Sequence, residues 1–110
     1  MANLFKNAIA KNVGSSNVTV YTCPTGKTAI VSGLSVANIH TDSISVDVLL
    51  TDTSASLEVS IVKDAPVDVG GSLIPIGGLQ KLVLEAGDII KVASSAANSA
   101  DVVISVLEIG

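Results

Sequence analysis

The fold is decided by one stretch of the chain, residues 17–39, which read NVTVYTCPTGKTAIVSGLSVANI. Residues 18–21 are β-branched or aromatic and predict a short strand. Residues 23–26 predict a turn, because proline fixes φ and glycine accepts the positive φ of a tight turn. Residues 27–39 predict a longer strand, in which Gly33 marks a bulge or a close backbone approach. The remaining sequence repeats this alternation of β-branched runs and turn residues.

The composition agrees with β structure throughout. Val, Ile and Thr make up 34 of the 110 residues, and their stiff side chains favour strands over helices. Runs of this kind recur roughly every ten residues, and roughly eight or nine short strands without a long helix are typical of a β-sandwich or small barrel. We therefore predict an all-β fold over residues 17–110, an antiparallel β-sandwich with a jelly-roll-like arrangement.

Alternation and turn residues predict two hairpins. Residues 43–52 alternate apolar and polar side chains, and residues 57–61 resume that pattern after a short polar loop, so they are expected to pair. Residues 64–66 are expected to end this second strand. Residues 79–85 and 89–94 are expected to pair across a tight turn.

Two strands carry apolar residues at both parities. Residues 28–39 and 101–109 would each be covered on both faces, either inside the sandwich or against a partner. Pro75 lacks an amide donor, so the run around it is expected to be an edge strand or extended loop.

Residues 1–16 are predicted as a separate N-terminal segment. Leu4, Phe5, Ala8 and Ile9 have the spacing of one apolar stripe on a short helix. The Asn and Lys residues among them, followed by Gly14, equally fit an arm. Such a segment packs on its own domain or docks on a neighbouring subunit. Leu4, Phe5 and Ile9 are the residues predicted to form an interface.

Charge and aromatic content exclude several function classes. A net charge of −4 with six Lys and Arg residues leaves no basic footprint for nucleic acid. Phe5 and Tyr21 are the two aromatic residues, too few for a base-stacking or sugar-binding platform. The sequence has no signal-peptide core and no run of about 20 apolar residues for a membrane helix. A 48% apolar composition predicts burial between copies in a homo-oligomer.

No group of residues predicts catalysis, a cofactor or a metal. Gly26-Lys27-Thr28 has Tyr21 where a phosphate-binding loop needs glycine, and a strand follows where that loop needs a helix. His40 is the only histidine, and a solvated loop position is expected for it. Cys23 has no neighbouring base and is expected to be a small apolar residue in a turn. The carboxylates, among them Asp88, are expected to serve turns. The chain is therefore predicted not to be an enzyme.

Three motifs carry a resemblance to a known family. Residues 20–31 form a Val-Tyr-x-x-Pro-x-Gly-Lys-x-Ala-Ile-Val pattern, residues 84–92 a Leu-Glu-x-Gly-Asp-x-Ile-x-Val pattern, and residues 107–109 a closing Leu-Glu-Ile. Together they resemble small β-sandwich virion structural proteins of tailed bacteriophages, of the cyanophage type. In that pattern the first motif is a hairpin, followed by a strand ending at Asn38.

The resemblance implies a non-enzymatic function in the virion. The leading expectation is a capsid cement or decoration protein that stabilises the head shell as a homotrimer, with the major capsid protein as its partner. Assembly would take place in the cytoplasm of a bacterial host, without nucleic-acid, membrane or small-molecule partners. The alternatives are a tail, baseplate or fibre component, or a small ligand- or glycan-binding β-sandwich.

Overall fold

A computed structural model describes residues 3–110, and these residues form nine β-strands in two antiparallel sheets. The all-β sandwich predicted from the sequence is confirmed. No helix among the described residues is long and apolar enough to cross a membrane. In chain order the strands are β1 (Asn3–Val13), β2 (Val18–Thr22), β3 (Thr28–Asn38), β4 (Ile44–Asp52), β5 (Leu57–Val67), β6 (Ser72–Ile76), β7 (Leu82–Leu84), β8 (Ile89–Ser94) and β9 (Ala100–Ile109).

The strand order is that of a jelly roll. One sheet runs β1-β9-β3-β6, with the short β7 also paired to β3, and the other runs β2-β8-β4-β5. We call these the first and second sheets. The chain thus folds back on itself, β1 with β9, β2 with β8, β3 with β6 and β4 with β5, and this long hairpin is wound into two layers. The predicted pairing of β4 with β5 is confirmed.

Two turns that were expected to close hairpins instead connect the sheets. Residues 23–26 lead from β2 in the second sheet to β3 in the first, and residues 85–88 lead from β7 back to β8. The backbone of Cys23 joins them: its N–H donates to the Asp88 carbonyl and its carbonyl accepts from Gly87, each at 2.9 Å. The hairpin predictions for these segments are wrong because β2 and β8 are neighbours, so both turns cross the sandwich side by side.

A bulge explains why β3 has apolar residues at both odd-numbered and even-numbered positions. The register to β9 shifts between Val31 and Gly33, as Gly33 predicted. Val31 is buried before the shift and Leu34 after it, because the extra residue moves the inward face to the other parity. Within a single chain β9 is not covered on both faces, since Val103 is 45% exposed. Coverage of β3 and β9 against a partner stays a prediction.

The N-terminal segment is a strand over the part that the structure describes. Asn3–Val13 pairs with β9 at the border of the first sheet, so the short-helix alternative is wrong. A strand sends alternate side chains to opposite faces, which separates Leu4 from Phe5. The division of the chain at residue 16 stays a prediction, as does docking of the segment on a neighbour.

Two of the three prolines, Pro66 and Pro75, lie on border strands. β5 continues through residues 64–66 to Val67, contrary to the expected break. Asp64 takes a positive φ of 51°, and its N–H donates to Asp47 Oδ1 at 2.7 Å, so the strand passes this irregularity without ending. Pro66 is tolerated because β5 is outermost in the second sheet. Pro75 lies on β6, which confirms the expected edge strand.

The aliphatic core between the sheets is closed at one end by Asn38. Its Nδ2 donates to the carbonyls of Asp42 and Val67, each at 3.0 Å, and its Oδ1 accepts from the His40 N–H at 2.7 Å. The side chain is buried, so it ties the end of β3 to the end of β5 and to the loop between β3 and β4.

We predict that Asn38→Ala lowers the free energy of unfolding by about 2 to 3 kcal/mol, because it leaves a buried carbonyl without its donor. Urea unfolding followed by circular dichroism measures the change. Asn17→Ala, at an exposed loop position, is the matched control and should stay within about 0.5 kcal/mol of the parent. Equal effects of the two substitutions would contradict the assigned role of Asn38.

Candidate interaction surface

The outer face of the first sheet carries a row of apolar side chains that crosses four strands. Phe5 on β1 pairs with Leu107 on β9, Leu107 pairs with Ile30 on β3, and Ile30 pairs with Val83 on β7. Residues directly opposite in an antiparallel pair lie on the same face. Phe5 is 80% and Val83 57% exposed, so this row faces solvent.

A second apolar row runs parallel to the first. Ile9 on β1, which is 70% exposed, pairs with Val103 on β9. Between the two rows lies an uncharged row of Asn7, Ser105 and Gly33. None of these three rows contains a charged residue. We call their apolar members, Phe5, Ile9, Ile30, Val83, Val103 and Leu107, the apolar face.

The outer face of the second sheet has the opposite character. Glu58 on β5 accepts hydrogen bonds from Thr51 Oγ1 at 2.6 Å and from Lys91 Nζ at 3.0 Å. The pKa of the Glu58 carboxyl lies below its ordinary value, first because of the Thr51 hydrogen bond and then because of Lys91. Asp47 and Lys63 form another ion pair at 3.4 Å. This face therefore carries paired charges, whereas the three rows of the first sheet described above carry none.

The structure brings together two of the three predicted interface residues. Phe5 and Ile9 both belong to the apolar face. Leu4 lies on the opposite side of β1, paired with Glu108 and half-exposed at the sheet border. Sequence reasoning missed Ile30 and Val83 as members of this surface. The signal for β9 was present, because alternation places Val103 and Leu107 on the face of residues 101–109 opposite to the buried residues.

A buried carboxylate joins the two sheets and strand β1. Glu108 on β9 is 1% exposed, and Tyr21 on β2 donates its hydroxyl to Glu108 Oε2 at 2.6 Å. Lys6 on β1 places Nζ 3.5 Å from Oε1, the oxygen that has no hydrogen bond of its own. Buried charges persist in proteins when they are paired, so this cluster ties β1 to the core through Lys6.

The pKa shifts within this cluster follow from the same contacts. The hydrogen bond from Tyr21 and, more weakly, the charge of Lys6 hold the pKa of the Glu108 carboxyl below its ordinary value, although burial acts in the opposite direction. Burial, reinforced by Glu108, raises the pKa of Tyr21. The carboxylate and the neutral phenol are therefore the paired forms at neutral pH.

The other sequence candidates lie apart from the apolar face. Cys23 is buried, and burial followed by the nearby Glu108 charge raises the pKa of its thiol. His40 lies in a bend after β3, and Lys27 precedes a strand, as expected.

One group of carboxylates serves turns. Asp52, Glu85 and Asp88 have carboxylate oxygens within 4.8 Å of one another. Asp88 Oδ1 accepts from the Thr53 N–H at 3.2 Å and Oδ2 from the Glu85 N–H at 2.9 Å. The expected turn role of Asp88 is confirmed.

Comparison with known proteins adds a likeness of fold. No family model matches the sequence, and no curated protein matches it. Among solved structures, a chain of the acid-stable capsid structure of the Helicobacter pylori bacteriophage KHP30 is similar, with a TM-score of 0.56 and 14% identity. The match covers 98% of this chain and 87% of that one. What this likeness shows is the fold.

We predict that Glu108→Gln reduces the pH dependence of stability. The pKa of Glu108 is lower in the folded protein than in the unfolded chain, where it is about 4.3. Its ionised carboxylate therefore stabilises the fold above that pH, and this stabilisation is lost as pH falls from there through the folded pKa. Urea unfolding at neutral and acidic pH measures the free energy of unfolding. On acidification this free energy should fall less for Glu108→Gln than for the parent. Glu85→Gln, at an exposed side chain, is the control and should follow the parent. If the free energy of unfolding of Glu108→Gln fell with pH as much as that of the parent, the prediction would be contradicted.

Proposed function

We propose that this chain is a non-enzymatic structural protein of a tailed-phage virion, and that it binds the head shell as a cement or decoration protein. Its partners in this proposal are the major capsid protein and further copies of itself in a homotrimer. It would be assembled in the cytoplasm of the bacterial host and would need no cofactor and no small-molecule substrate.

The observation that carries the proposal is the contrast between the two outer faces. Phe5, Ile9 and Val83 are each more than half exposed on a sheet face whose three central rows hold no charge. Apolar patches of this kind on a soluble chain mark interaction sites. The charged outer face of the second sheet would remain in solvent, so each copy would contact the shell through its apolar face.

The fold and the sequence motifs support the same function. Jelly rolls are frequent among viral capsid proteins, and the similar chain belongs to a phage capsid structure. The motifs in residues 20–31 and 84–92 resemble virion proteins of tailed phages. The fold alone does not select a function, so the proposal rests on the apolar face and takes these likenesses as support.

The proposal predicts that charge on the apolar face weakens binding to shells. Val83→Lys and Val103→Lys each place an ammonium where an apolar contact is proposed, and an unpaired buried charge is costly. We expect co-sedimentation with purified, undecorated shells of the phage that carries the protein to weaken at least about tenfold, which corresponds to about 1.4 kcal/mol.

Ser60→Lys, at an exposed position on the charged face, is the matched control and should bind like the parent.

The same chains are mixed with purified tails. Binding to tails and not to shells would favour the tail-component alternative, and binding to neither would contradict a virion role. Size-exclusion chromatography with light scattering tests the trimer, whose mass would be three times the 11.0 kDa of one chain.

A further inference from the structure

The borders of the two sheets are not equally protected against pairing with another strand. In the second sheet, β5 carries Pro66 and the positive-φ Asp64, and β2 has five residues with a register shift. In the first sheet, β6 has five residues including Pro75 and β7 has three. Prolines, irregularities and short length are the usual means of blocking edge pairing.

Strand β1 has none of these protections over most of its length. It has eleven residues and no proline, and its pairing with β9 is regular from Asn3 to Ala10. Its only cation in the middle, Lys6, is directed to the buried Glu108 at 3.5 Å. The outer backbone edge of β1 is therefore a long, regular template for another strand.

We propose that β1 pairs antiparallel with β1 of a second copy, around a two-fold axis that passes beside Asn7. In this register residue i of one copy lies opposite residue 14 − i of the other. Phe5 then faces Ile9 of the second copy on the outer side, Lys6 faces Ala8, and Asn3 faces Lys11. An aromatic side chain opposite a β-branched one is a favourable cross-strand pair.

Neighbouring registers are less favourable for reasons of charge. Because both outer faces must lie on the same side of the joined sheet, residues of the same parity have to be opposite each other. A two-fold axis at Lys6 would oppose Lys6 to itself, and like charges directly opposite are destabilising. An axis at Ala8 would place Lys11 opposite Phe5. The axis at Asn7 avoids both arrangements and is thus the register that the sequence of β1 favours.

This pairing also makes the two apolar faces continuous. Phe5 and Ile9 of each copy would meet at the junction as a cluster of four apolar side chains on one side of the joined sheet. A strand pair about 30 Å long buries less area than the roughly 1,000 Å² of a stable interface. The contact should therefore be weak between free chains and strong where many copies lie on one surface.

The inference deepens the self-association in the proposed function and does not depend on what the apolar face binds. A two-fold contact cannot close a trimer. In a trimeric protein it would join one trimer to the next.

Single cysteines on β1 test the register. Asn7→Cys places two thiols opposite each other at the axis, within the 4.4–6.8 Å Cα separation of disulfides. Asn3→Cys is the matched control, because in this register residue 3 of one copy lies about 27 Å from residue 3 of the other. Under mild oxidation at high protein concentration, Asn7→Cys should form covalent dimers on a denaturing gel at least about tenfold faster than Asn3→Cys. The parent, whose Cys23 is buried, should form none.

Two further arms make the result specific. A mixture of Asn3→Cys and Lys11→Cys chains carrying different tags should cross-link mainly between the two variants. Adding Ile9→Lys to Asn7→Cys should suppress the cross-link, because the new lysine would face Phe5 of the other copy. Equal cross-linking of Asn7→Cys and Asn3→Cys, or none with either, would overturn the pairing. Shell binding that persists in that case would leave the proposed function intact.

Discussion

The alternation of side chains along β9 is the constraint on which the rest of the first sheet depends. β9 lies between β1 and β3 and pairs with both over nearly its whole length. Its inward residues, such as Ile104, are buried in the core, and its outward residues, Val103 and Leu107, belong to the apolar face. Because strand pairing keeps opposite residues on one face, every apolar row outside is fixed by a buried row inside. The core therefore determines which residues lie on the outer surface.

The buried Glu108 gives β1 a specific connection to this core. Taking a carboxylate out of water is costly and is offset only when partners are present, and here one partner, Lys6, comes from the border strand while the other, Tyr21, comes from the opposite sheet. Loss of β1 from its place would leave Glu108 Oε1 without its Lys6 partner. The same strand thus contributes Phe5 and Ile9 to the outer surface and Lys6 to the core, which links the position of the apolar face to a buried charge.

The sequence sufficed for the class of fold and for local features, but not for what depends on long-range pairing. Gly33 predicted a bulge and Pro75 an edge strand, because both act through the backbone of their own segment. The sequence around Cys23 is that of a hairpin turn, yet the turn connects the two sheets. The reason is that β2 pairs with β8 and not with β3. Val83 could be recognised as part of the surface only through its pairing with Ile30, a residue more than fifty positions away.

The uneven distribution of charge and edge protection fits the proposed function, in which the chain would act in many copies. Full burial of one aliphatic or aromatic side chain is worth about 1.5 to 3 kcal/mol, and association itself costs several kcal/mol of lost freedom. A few side chains on a sheet this small leave little net affinity for a single copy. Repetition on a lattice removes most of that cost from each further contact, because neighbours are already held close. A rigid sandwich suits this use, since no ordering cost is added at each site. In the proposed assembly the open border of β1 would face a neighbouring copy, and the uncharged rows beside it would face the surface beneath.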